Sequence, residues 1–131
     1  MKHSLFLVAL LTCGIAQAAD WVNIGSATQF SAIYADRSRV KAVGVIRSTW
    51  LKLVYKPHAQ RWGATHQYID YEMAFVFFNC EHQVTHETTS TDYLEDGSAH
   101  GGPDSSHWDP VIPDSAGEGE MNWICNLKLE Q

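Results

Sequence analysis

Basic residues all but vanish from the second half of this 131-residue chain: from residue 62 on, thirteen acidic side chains stand against one base, Lys128. The formal charge is −6, so the basic surplus that general nucleic-acid binding needs is missing. No G-x-S-x-G elbow, H-E-x-x-H pair or phosphate-cradling glycine loop is present, which removes the commonest hydrolase, zinc-protease and nucleotide-binding signatures. No apolar run is long enough to cross a bilayer. Charged residues make up only 18%, but apolar residues reach 45%, an ordinary globular balance that excludes wholesale disorder. The length allows one domain, able to bury about two-thirds of the surface its unfolded form exposes.

The longest apolar run, Ser4 to Thr12, follows the short basic start Met1-Lys2-His3 and precedes Ala16-Gln17-Ala18, with small residues at −3 and −1. This order predicts a secretory signal peptide over 1–18, cleaved before Ala19, and a single exported domain over 19–131. Loss of Lys2 with the leader takes the formal charge from −6 to −7. Leu10-Leu11-Thr12-Cys13 also resembles a lipobox, which would leave a lipid anchor on Cys13. Thr12 fits poorly before the cysteine, and the signal-peptide reading is preferred.

Past the leader only Cys80 and Cys125 remain, and two cysteines in an exported domain predict one disulfide. It would close a loop of about 46 residues, contributing roughly 4 kcal/mol through loop-closure entropy. The spacing excludes a C-x-x-C zinc or redox site.

Alternating patterns predict strands through the first two-thirds of the mature chain. Short strands are expected at Trp21–Ile24 and Phe30–Tyr34. A third carries Val40, Ala42 and Ile46 on one face, with parity changing at Ser48-Thr49, the mark of a bulge or of a break into two strands. Tyr68 to Asn79 becomes apolar on both faces and belongs in the middle of a sheet. Polar Glu81 to Thr89 reads as an edge strand, Thr91 to Glu95 as a further short one, and Gly97 to Pro113 as a breaker-rich loop. Ser115-Ala116-Gly117-Glu118 reads as a capping box opening a C-terminal helix that carries Met121, Ile124 and Cys125. The fold class is therefore α+β: an antiparallel sheet of about five to six strands, with a C-terminal helix packed on it and one disulfide.

These pieces, in this order, resemble the surface-adhesin protein E family of small exported bacterial proteins. The matching residues are Trp21 with Ile24-Gly25, Tyr34-x-Asp36-x-Ser38, Lys52-x-x-Tyr55, Phe77-x-x-Cys80 and Tyr93 with Gly97. They end with Trp108-x-x-Val111-x-Pro113-x-Ser115-x-x-Glu118 leading to Cys125. Where the family usually has Pro-Gly-Ser, this chain has Pro113-Asp114-Ser115, and Trp50 to Arg61 is unusually apolar and basic. The resemblance implies an antiparallel sheet backed by a C-terminal helix tied by the cysteine pair, no enzymatic activity, and attachment to host matrix or serum proteins.

Seven basic residues, Arg37, Arg39, Lys41, Arg47, Lys52, Lys56 and Arg61, fall between 37 and 61 with no acid among them. They form a candidate surface for an acidic macromolecule, and Arg37, Arg39, Lys41 and Arg47 share parity on one predicted strand face. The competing expectation is cross-sheet pairing with Asp70, Glu72, Glu81 and Glu87. Trp62, flanked by Arg61 and Gly63 in a loop, is the favoured aromatic contact over Trp50 and Trp108. His82-x-x-x-His86 has metal-ligand spacing only on a helix, and its Thr-rich surroundings favour a strand. No metal ligand set and no cofactor are expected. Asp70 and Glu72 read as the solvent side of an entering strand.

The leading expectation is a non-enzymatic exported module, in the periplasm, at the cell surface or secreted, that binds a macromolecule. Nucleic acid and transmembrane anchoring are excluded from it, and homodimerisation is left open. The alternatives are a small periplasmic hydrolase using His100, Asp104, His107 and Asp109, and an inhibitor of a secreted enzyme.

Overall fold

A computed structural model describes residues 17–130. Cys13 and nearly all of the expected leader lie outside the described residues. Eight strands form one sheet: β1 (Trp21–Gly25), β2 (Phe30–Asp36), β3 (Lys41–Val43), β4 (Ile46–Tyr55), β5 (Ile69–Asn79), β6 (Val84–Leu94), β7 (Ala99–Gly101) and β8 (Asp109–Pro110). A 3-10 turn, Arg37–Arg39, separates β2 from β3, and helix α1 (Ala116–Asn126) ends the fold. The strands run β1-β2-β4-β5-β6-β7, with β3 also on β4 and β8 also on β6. Every pairing is antiparallel.

The bulge or break expected at Ser48-Thr49 is not there: β4 runs unbroken through both residues, and the break between two strands lies upstream, at Gly44. Gly44, at φ +59, turns β3 back on β4, and β4 then pairs with β5 without a shift from Ile46↔Asn79 to Val54↔Tyr71. Ser48 and Thr49 are both buried; the Thr49 hydroxyl donates to the Asp36 carbonyl at 2.7 Å.

Two expectations about the chain after residue 80 need correction. The stretches read as an edge strand and a separate short strand form one strand, β6, flanked by β5 on one side and by β7 and β8 on the other. The segment read wholly as a loop contains β7 and β8, so its glycines and prolines bound two short strands rather than exclude them. A register shift at Phe75/Val76 lets the long polar strand stay paired with the apolar one. These two short strands and the β3–β4 break raise the strand number to eight.

One face of the sheet carries the core. Ala35, Leu51, Ala74, Val76 and Phe78 meet Met121 and Ile124 of α1, all seven buried. Ser115 caps the helix, its hydroxyl accepting from the Glu118 amide at 3.3 Å, while the Glu118 carboxylate accepts from the Asp114 amide at 2.8 Å. At the other end Cys80, just past β5, is bonded to Cys125, with Cα atoms 5.7 Å apart. Arg47 of β4 donates to the carbonyls of Ile124 and Leu127, satisfying groups that the helix end leaves free.

Candidate functional site

The helix covers one face of the sheet, and alternation along the strands sends the remaining large side chains to the other. In-register rows there run Trp50↔Phe75↔Thr89, Lys52↔Met73↔Thr91 and Val54↔Tyr71↔Tyr93, with Tyr34 of β2 beside Lys52. The aromatic and basic members are half-buried. Trp50 and Phe75 lie 5.3 Å apart at 56°, Phe75 and Phe77 5.3 Å apart edge-on, and Tyr71 stacks on Tyr93 at 4.4 Å. The Lys52 ammonium sits 4.5 Å above the Tyr71 ring. Chain after β7 crosses the β6 side of this face: Asp104 accepts from the Thr89 hydroxyl at 3.1 Å, the Ser105 carbonyl lies 2.8 Å from His86 Nε2, and Trp108 leans on His86 at 5.4 Å. The result is a row of adjoining rings, with Lys52 within it and Arg39 and Lys41 at its margin.

The seven basic residues do not form one strand face. Arg37 is paired with Asp20 at 2.8 Å and Arg39 with the buried Asp36 at 3.6 Å, both on the 3-10 turn. Arg47 points to the helix side and is committed to its carbonyls. Arg61 lies over Tyr68, 5.6 Å from the ring centre. Lys41 and Lys56 are exposed and have no ion pair among the described residues. Among the described residues the cross-sheet pairing expected with Asp70, Glu72, Glu81 and Glu87 does not form: Lys52 stands opposite Met73 and Arg47 opposite Phe78. Trp62 is held at the far end, its ring tilted by 30° and 4.1 Å from that of His100, while Trp50 lies on the uncovered face and Trp108 at its β6 side.

The hydrolase residues are spread along the chain after β6. His100 lies in β7 with Nε2 3.0 Å from the Ser98 hydroxyl, Asp104 faces Thr89, and exposed His107 and Asp109 pair at 3.2 Å. His82 falls in the β5–β6 turn and His86 on β6. Among the described residues no group of three or more His, Cys, Asp or Glu side chains is placed to hold a metal ion.

The helix side holds a feature that reading the strand as solvent-facing missed. Glu72 shares its face with Ala74, Val76 and Phe78, opposite Asp92, and Glu120 stands one helical turn before buried Ile124. Burial, then the charges of Glu87 and Asp92, push the Glu72 carboxyl up to about 7. Burial, then Glu87 and Glu72, push Glu120 up to about 7 as well. Glu87 and Asp92 are raised too, chiefly by burial. Tyr55 donates to Glu72 at 3.3 Å and is raised by burial and by that carboxylate. The signal was in the sequence: even parity from Ala74 to Phe78 extends back to Glu72, and Glu120 is four residues before Ile124.

The family model for surface-adhesin protein E matches residues 21–126. The fold is similar to that of a crystal structure of Haemophilus influenzae protein E, at a TM-score of 0.54 and 13% identity, over 71% of this chain and 79% of that one. Comparison with the curated proteins finds no match. No helix among the described residues is long and apolar enough to cross a membrane. The disulfide, the helix-backed antiparallel sheet and the family match agree, and the chain belongs to the surface-adhesin protein E family.

Proposed function

We propose that this protein is an exported, non-enzymatic binding module that holds a macromolecular ligand, a matrix or serum protein, on the uncovered face of its sheet. The observation that carries this reading is the run of half-buried rings from Trp50 through Phe75 to Phe77, with Tyr71 and Tyr93 beside it, on a face that no helix covers. Large, stiff aromatic side chains bury much area at little conformational cost, the usual make-up of binding hot spots. Lys52 within the face and Lys41 at its margin add attraction for acidic partners. The family match supports an adhesin-like role.

The test uses oxidised protein, residues 19–131, on immobilised matrix and serum proteins with bovine albumin as control, titrated with salt. Saturable binding that weakens with salt and is lost in the Tyr71→Ser/Tyr93→Ser variant is the expected result. Binding no better than to albumin overturns it.

A second reading rests on the carboxylates of the helix side. Glu72 and Glu120, both near 7, have the protonation behaviour of acid–base groups. A hydrolase built on them would lose its activity in Glu72→Gln with the fold intact.

A further inference from the structure

We propose a binding pocket for an acidic sugar unit at the margin of the uncovered face, a reading that rests on that face being the binding surface. Ser38, Arg39, Val40, Lys41, Trp50 and Phe75 line a cavity of about 410 Å³, within the usual range of small-molecule sites. Its floor is aromatic: Trp50 and Phe75 are splayed at 56°, so their faces form a shallow trough. Its wall is basic and contains no carboxylate.

The β3–β4 pairing places this wall. Lys41 is in register with Ser48, on the same side of β4 as Trp50, and the 3-10 turn brings Ser38 and Arg39 to the same margin. The two cations differ in availability. Arg39 is 53% exposed but has Asp36 behind it at 3.6 Å, which offsets part of its charge. Lys41 is exposed and has no ion pair among the described residues, so it supplies most of the attraction.

This combination selects a ligand with one apolar face and an anionic substituent. The C–H face of a pyranose lies on the rings and excludes water from them, while its carboxylate or sulfate reaches Lys41 and Arg39. A bare anion gains nothing from the aromatic floor, and a neutral sugar nothing from the wall. Both uronic acids and sulfated sugars carry the required chemistry. They are the repeating units of matrix glycans, so the pocket gives the adhesive face a carbohydrate component.

Isothermal titration of the oxidised protein with a hyaluronan hexasaccharide, a heparin hexasaccharide, maltohexaose and hexaglutamate tests this, with NMR shift mapping of each complex. The expected result is binding of one or both acidic sugars, with the largest shifts at residues 38–41, the Trp50 indole and Phe75. Hyaluronan alone would identify the carboxylate as the recognised group, and heparin alone the sulfate. Lys41→Glu, at an exposed position, should weaken that binding at least tenfold while maltohexaose shows none. Trp50→Phe should weaken the sugar without weakening hexaglutamate.

Shifts centred elsewhere, or hexaglutamate binding as tightly at the same residues, overturn the assignment. If neither sugar binds but the matrix and serum proteins still bind through Tyr71 and Tyr93, the pocket fails and the binding face stands. If the proteins fail as well, both readings fall.

Discussion

The guanidinium of Arg47, on β4, donates to the Leu127 carbonyl 2.6 Å away, and so closes the C-terminal end of α1 from across the sheet. The same group serves the Ile124 carbonyl, so one side chain from the basic stretch does structural duty for the helix. Arg47→Met keeps the apolar stem but leaves two carbonyls without their charged donor. The expected cost is about 2 kcal/mol or more, since a hydrogen bond to a charged group contributes about 1.5–3 kcal/mol net. Thermal unfolding checks it, with hexasaccharide binding unchanged.

The disulfide acts at the same end. Reducing it, or making Cys80→Ser with Cys125→Ser, frees a loop of about 46 residues and should cost about 4 kcal/mol. The buried contacts of Met121 and Ile124 remain, so the reduced protein is expected to fold with a melting temperature lower by more than about 10 °C. Melting followed by circular dichroism, with and without reductant, checks this.

Asp114 occupies left-handed backbone at φ +59 immediately before the helix cap. This is the position at which the family resemblance places glycine, and the conformation explains why. Asp114→Gly relieves the clash of Cβ with the backbone and is expected to stabilise the protein by about 1 kcal/mol. The Asp114 amide that donates to Glu118 is retained, so the cap is unaffected. Urea unfolding should show a raised midpoint with an unchanged slope.

Stability should fall as pH rises from 4.5 to about 7. Glu72 and Glu120 have folded-state values near 7, against 4.5 for an unperturbed glutamate, so over this window the folded protein binds protons that the unfolded chain has released. Their contribution is present at low pH and lost as both ionise in buried surroundings, Glu72 beside Glu87 and Asp92, and Glu120 beside Glu87 and Glu72. Melting temperatures at pH 5 and pH 8 measure the drop. Glu120→Gln should raise the melting temperature at pH 8 by several degrees, leave it nearly unchanged at pH 5, and flatten the profile.

Much of this architecture was legible in the residues. Alternation placed β2 and β5, the Ser115–Glu118 spacing placed the start of α1, and two lone cysteines gave the disulfide. Local pattern failed where pairing partners decide the outcome. The polar stretch from Val84 to Leu94 is one interior strand because β7 and β8 return to it, which its own residues do not encode. The basic residues between 37 and 61 were visible as a group, but their separation was not. Arg47 turned to the helix because it stands in register with Phe78 on the core face, and Arg39 was claimed by buried Asp36. Trp50 was recognisable as an aromatic near a strand break. Its place on an open face depends on the β4–β5 register, which only the assembled sheet supplies.

The uncovered face, and not the helix side, is expected to hold the ligand. Two variants on the immobilised matrix and serum proteins decide between the faces: Tyr71→Ser/Tyr93→Ser on the open face, and Asn122→Lys on the exposed surface of α1. Loss of at least tenfold in affinity in the first, with the second equal to wild type, is the result expected of hot-spot aromatics. Undiminished binding by the folded tyrosine variant, or loss confined to Asn122→Lys, contradicts it.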